Sequence, residues 1–232
     1  MRMRLALAGA ALAGLGALAG GLAGWHLHRP APGTRAYAAV RLIAVQAHLD
    51  EAASGSVFLA GDSQAELQSP AERVCGREVV NGGVSGASAA LYADLLGTLR
   101  FRQRPAAAVL TVGTNDLALK NAPRSPEARA RFADAAEGIV RRLLAESDRV
   151  VVTALPPVAR GADTRWDPKA VGAYSETLRD LCGRLGCRFA DPFAGLRDGT
   201  TGFARTGTMR DALHLSAYRP ILRALAPDLC PP

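Results

Sequence analysis

From residue 56 onward the chain alternates short β-branched runs with longer amphipathic ones, and this alternation leaves few folds open. The short runs are Val57–Ala60, Glu78–Asn81, Ala107–Val112, Val150–Ala154 and Arg188–Ala190. Helical periodicity lies between them at about 64–75, 88–102, 126–146 and 168–184, and a last helix is expected over Ala217–Leu225. Strands separated by helices pair in parallel through crossovers, so the pattern predicts an α/β domain built on a parallel sheet of five strands. Two helix starts carry their own chemistry. Ser125-Pro126-Glu127 supplies a capping hydroxyl, a proline for the first turn and an early acid, and Asp167-Pro168 repeats the device. In an open parallel sheet the ligand crevice lies beyond the carboxyl ends of the strands, so the residues after the short runs are the ones to inspect.

The segment before this domain speaks to compartment. Arg2 and Arg4 precede an uncharged run from Leu5 to Trp25 that is rich in Ala, Gly and Leu. A run of that length reaches the roughly 20 residues a membrane-spanning helix needs. Ala17-Leu18-Ala19 also offers a small-x-small cleavage pattern. A cleaved signal peptide and a retained signal anchor, both over residues 1–25, are therefore open, and either puts the domain outside the cytoplasm on the envelope or extracellular side. Residues 26–54 read as a Pro-punctuated linker followed by a juxtamembrane helix. Its apolar positions Val40, Ile43, Ala44 and Ala47 have helical spacing and are expected to pack onto the domain at 55–232. His26 and His28 lack further ligands nearby and read as solvated linker, not as a metal site.

The formal charge is +7, but residues 1–41 hold Arg2, Arg4, Arg29, Arg35 and Arg41 with no acid. The remaining chain is close to neutral balance, which argues against a nucleic-acid face. Cys75, Cys182, Cys187 and Cys230 are an even set in a chain expected to be exported, which favours disulfides. Three connectivities are open, and Cys182 with Cys187 and Cys75 with Cys230 are preferred.

The strand ends carry small polar residues among glycines. They are Gly61-Asp62-Ser63-Gln64, Asn81-Gly82-Gly83-Val84-Ser85-Gly86 and Gly113-Thr114-Asn115-Asp116, joined near the C-terminus by Asp211-Ala212-Leu213-His214. A serine hydroxyl becomes a useful nucleophile only when an imidazole accepts its proton, and a carboxylate must hold that imidazole in one tautomer. Among the four histidines only His214 lies inside the strand and helix domain, and Asp211 sits three residues before it. The amides of Ser63 and Gly86 and the side chain of Asn115 are candidate donors to a tetrahedral oxyanion, each worth ~3–4 kcal/mol where such donors have been removed. Asp62 is expected to tie down its loop and Asp116 to cap. Ser85 and Ser88 read as small residues at a crowded turn, and Tyr218 and Trp166 as packing aromatics.

These blocks resemble the SGNH hydrolase family, also called GDSL-like lipases and esterases, over about residues 55–228. Gly61-Asp62-Ser63 matches the nucleophile block, Gly86 the second-block glycine, Gly113-Thr114-Asn115-Asp116 the third block, and Asp211-Ala212-Leu213-His214 the last. The resemblance implies a flavodoxin-like three-layer α/β/α sandwich, hydrolysis without metal or cofactor, a triad of Ser63, Asp211 and His214, and an oxyanion hole from Ser63, Gly86 and Asn115. Two departures concern the pocket: Gln64-Ala65-Glu66-Leu67 replaces the more usual Ile-Thr-x-Gly, and Ala87 stands where Asp is frequent. The nucleophile elbow of the α/β-hydrolases does not fit, because it wants glycine where Ala65 stands. The expected activity is cleavage of carboxylic esters through an acyl-serine, on a glycan, a lipid or a small acyl ester. An O-acyltransferase using the same triad is the alternative, and a catalytically silent anchored binding module is the third reading.

Overall fold

The computed structural model describes residues 33–68 and 73–230; the apolar segment expected over residues 1–25 and the linker up to residue 32 lie outside them. Residues 36–232 form one compact unit, which includes the helix that precedes the first strand.

Five strands, β1 (Val57–Gly61), β2 (Val79–Asn81), β3 (Ala107–Thr111), β4 (Val150–Thr153) and β5 (Arg188–Ala190), pair in parallel in the order β2-β1-β3-β4-β5. The chain leaves β1 toward one edge and returns to β3 on the other side of it. The ends of β1 and β3 therefore flank the point where strand order reverses, the usual place for a ligand crevice. All residues of β1, β3 and β4 are buried, as expected for strands covered on both faces, whereas the edge strands β2 and β5 are only partly buried.

Side-chain alternation splits the core into two layers. Phe58, Ala60, Val80, Ala108, Leu110, Val150 and Val152 point to one face. Four helices cover it: α1 (Thr34–Glu51), α3 (Ala89–Thr98), α4 (Pro126–Glu146) and α5 (Ala170–Leu185). Val57, Leu59, Ala107, Val109 and Val151 point to the other face, which is covered by Phe193, Leu215 and the C-terminal helix α6 (Arg219–Leu229). This is the three-layer sandwich that the family resemblance implies.

Four elements differ from expectation. Among the described residues, the stretch at 64–75 holds one short helix, α2 (Ser63–Glu66). The Asn81 side-chain amide lies 2.9–3.0 Å from the carbonyls of Ala65, Glu66 and Gln68, so it takes up the C-terminal acceptors of that turn. Helix α3 stops at Thr98 because Leu99 turns extended and buries, and Phe101 packs edge-on against Phe58 with ring centroids 5.0 Å apart. The last helix begins two residues later than expected and runs on to Leu229. Helix α1 does pack onto the domain, but through Ala38, Val45 and Leu49. Val40 and Ile43 are 71% and 73% exposed, and Ala44 and Ala47 are exposed as well. Period-3.6 spacing identifies a helix but not which of two apolar stripes faces inward; here the buried stripe also carries Tyr37 and Arg41, whose polar ends find partners on the domain. Among the described residues no helix is long and apolar enough to cross a membrane.

Disulfides join Cys75 to Cys230 and Cys182 to Cys187, the preferred pairing. The first ties the loop after β1 to the end of α6 across a separation of 155 residues; the second closes the α5–β5 turn across five. Loop-closure entropy assigns about 5 kcal/mol to the long bridge and about 2 kcal/mol to the short one. Replacing Cys75 and Cys230 together by Ala should lower the urea midpoint about twice as far as replacing Cys182 and Cys187, measured under non-reducing conditions.

Candidate active site

The nucleophile block starts with a close approach of two strands. Gly61 ends β1 at φ +134°, opposite Thr111, and an added Cβ would lie 1.8 Å from the Thr111 carbonyl oxygen. Only glycine fits, and the turn it permits releases Asp62 and Ser63 from the sheet. Asp62 is fully buried and caps α2, with Oδ1 accepting from the Gln64 amide at 2.9 Å and Oδ2 from the Thr114 amide at 3.0 Å. One side chain thus ties the loop after β1 to the loop after β3. Burial pushes its carboxyl up to about 7 against the pull of those two amides.

Ser63 is the first residue of α2 and is 5% exposed. His214 Nε2 lies 3.0 Å from Ser63 Oγ, and His214 Nδ1 lies 2.9 and 3.1 Å from the two oxygens of Asp211. The sequence-predicted triad residues therefore form one continuous hydrogen-bonded chain. Asp211 also accepts the Leu213 and His214 amides at 2.9 Å each, which curls 211–214 into a tight turn. Partial burial would raise the Asp211 carboxyl, but those two amides and the imidazole together outweigh it and hold it down at about 2. An acceptor that stays anionic at neutral pH requires the imidazole proton on Nδ1. Nε2 is then free to accept from Ser63.

The other candidate donors sit on neighbouring loops. Gly83 and Gly86 follow β2; an added Cβ on Gly83 would lie 2.2 Å from the Glu66 amide, so this loop packs directly on α2. Gly86 takes φ +79°, a left-handed conformation open to glycine. Among the described residues no acceptor bonds the amides of Ser63 or Gly86. Asn115 spends one Nδ2 proton on the Ala87 carbonyl at 3.0 Å, which fixes its amide beside the Gly86 turn and leaves the second proton for another acceptor. Asp116 accepts the Ala89 amide at 2.9 Å and, with the Ser88 hydroxyl at Leu91, caps α3. Burial raises its carboxyl to about 6.

Three supports were not legible as functional. Gln64 is wholly buried; its Nε2 donates to the Leu213 carbonyl at 2.7 Å and its Oε1 accepts from the Tyr218 hydroxyl at 2.9 Å. Glu66 accepts the Ser85 amide at 2.6 Å and receives Tyr37 and Arg41 from α1. Arg41 Nη2 donates to the Asn81 carbonyl at 2.7 Å and its Nε to the Gly83 carbonyl at 3.2 Å. Gln64 and Glu66 are the two polar residues of the stretch that departs from the usual family motif, which is the one hint the sequence held. Trp166 is partly buried against the core with Arg165 over its ring at 4.7 Å, the packing role expected. Among the described residues no group of three or more His, Cys, Asp or Glu side chains could hold a metal ion.

The raised Asp62 carboxyl carries a prediction. An acid whose folded value exceeds its ordinary 3.8 contributes stability that is full below that value and is lost as pH rises through about 7. The urea midpoint of the wild type, taken relative to Asp62→Asn, should therefore fall as pH rises from 4 to 7.

The model of the GDSL-like lipase/acylhydrolase family matches residues 29–218. No curated protein matches the chain in sequence. Among solved structures, one from Streptococcus pneumonia superposes with a TM-score of 0.69 at 18% identity, covering 83% of this chain and 92% of its own. The lipase/acylhydrolase from Enterococcus faecalis gives 0.58 at 18%, covering 76% and 98%. A carbohydrate acetylesterase family member from Sinorhizobium meliloti gives 0.55 at 18%, covering 75% and 96%. At these identities the superpositions speak for the fold, while the family match spans most of the chain. The chain belongs to the GDSL-like lipase/acylhydrolase family and is a serine ester hydrolase.

Proposed function

We propose that Ser63, His214 and Asp211 are the catalytic triad and that the protein cleaves acyl esters of the cell envelope. The observation that carries the reading is the unbroken chain from Ser63 Oγ through the imidazole to Asp211. Ser63 Oγ attacks the ester carbonyl carbon as its proton passes to His214 Nε2. The carbonyl oxygen becomes an oxyanion, which the Ser63 and Gly86 amides and Asn115 Nδ2 receive. His214 then gives its proton to the leaving alkoxide and an acyl-Ser63 remains. Water, deprotonated by the same imidazole, attacks that acyl group and returns the proton to Ser63 with release of the acid. Asp211 stays anionic throughout and stabilises the imidazolium.

Location and substrate rest on separate grounds. The basic start and apolar run at residues 1–25 support export with a signal peptide or signal anchor, and two disulfides fit an oxidising compartment. Of the esters open to the family we take a short acyl group on a glycan as the substrate, in line with the carbohydrate acetylesterase family member of like fold.

Nitrophenyl esters of graded acyl length, given to the purified wild type, Ser63→Ala and Asn115→Ala, test this. Turnover should vanish in Ser63→Ala, and kcat should drop ~10²–10³-fold in Asn115→Ala, as for loss of one oxyanion donor. Acetyl esters should be the best substrates. Turnover that survives in Ser63→Ala would sink the triad, and product formation only with an added sugar acceptor would mark an acyltransferase.

A further inference from the structure

We infer that Gln64 and Tyr218 are positioning residues for the general base, gripping the backbone on both sides of His214. His214 closes the 211–214 turn, and nothing in that turn itself fixes how far the imidazole stands from Ser63. The residue before it, Leu213, gives its carbonyl to Gln64 Nε2 at 2.7 Å. The residue after it, Leu215, gives its amide to the Tyr218 hydroxyl at 3.2 Å, and that hydroxyl donates in turn to Gln64 Oε1 at 2.9 Å. The side chains of Leu213 and Leu215 are both buried, one in each core layer, which anchors the backbone on either side of His214.

The grip starts from the residue covalently attached to the nucleophile. Gln64 follows Ser63 directly, and its own amide is held by Asp62. The distance between Ser63 and His214, 151 residues apart in sequence, is thus set by two side-chain links that begin one residue from the nucleophile. Each partner is used fully: a glutamine amide can donate and accept at once, and a phenol can accept one amide while donating to one carbonyl. Burial pushes the Tyr218 phenol up to about 12, so it keeps the proton it donates across the working pH range. Gln64 and Tyr218 are themselves almost wholly buried, so neither polar end has water as a substitute partner.

The inference rests on the proposed triad, and its test separates the two. Gln64→Leu and Tyr218→Phe keep volume and remove the links, and kcat should fall ~10²-fold in each, because a misplacement of about 1 Å at the reacting atoms costs that much. KM should move less than about twofold, since neither residue contacts substrate. The double variant should be little worse than either single one, because both act on one loop. Rates are normalised to active sites by burst titration, so loss of folded protein does not count. The downfield Nδ1 proton resonance of His214 should broaden in both variants while melting stays cooperative. Singles within about twofold of wild-type kcat, in an assay where Ser63→Ala is dead, would overturn the grip and leave the triad standing. A live Ser63→Ala would overturn the triad itself.

Discussion

A 3.0 Å contact between Ser63 Oγ and His214 Nε2 is the interaction on which the rest of this structure depends. It joins the end of the first strand to a loop just before the last helix, so the other four strands lie between the two residues in sequence. The sheet places the serine at the point where strand order reverses, with Gly61 allowing the backbone of β1 to pass against Thr111. Asp62 then links that loop to the end of β3, and Gln64 and Tyr218 reach to the histidine loop. Polar groups buried this fully are costly unless each is paired, so the links act together or not at all.

The central face of the fold was legible in the sequence because burial on both sides leaves an unbroken apolar signature. β1, β3 and β4 read from that signature, and α4 read to the residue because Ser125 and Pro126 state where it begins. The residues of the proposed triad were legible for a different reason: from residue 55 onward the sequence has a single histidine, with an aspartate three residues before it. What escaped the sequence depends on partners distant along the chain. The early end of α2 is set by the Asn81 side chain, and the inward face of α1 is chosen by what Tyr37 and Arg41 meet on the domain. Gln64 looked like a departure from a family motif until its two partners, 149 and 154 residues away, were in view.

Helix α1 is not a detachable stalk. Through Tyr37 and Arg41 it holds Glu66, and Glu66 holds the Ser85 amide, next to the Gly86 turn. Helix α1 is thereby part of the framework that shapes the loop after β2. The exposed Val40 and Ile43 lie on its opposite side and take no part in that framework.

The proposed triad requires Ser63 to be the one residue that becomes acylated, with help from His214. Mass spectrometry after treatment with a fluorophosphonate, run alongside residual ester turnover, tests this most directly. A single adduct on the peptide containing Ser63, turnover lost in step with labelling, and labelling slowed by orders of magnitude in His214→Ala are the predicted result. Turnover that persists with Ser63 fully labelled, or an adduct formed elsewhere, would contradict it.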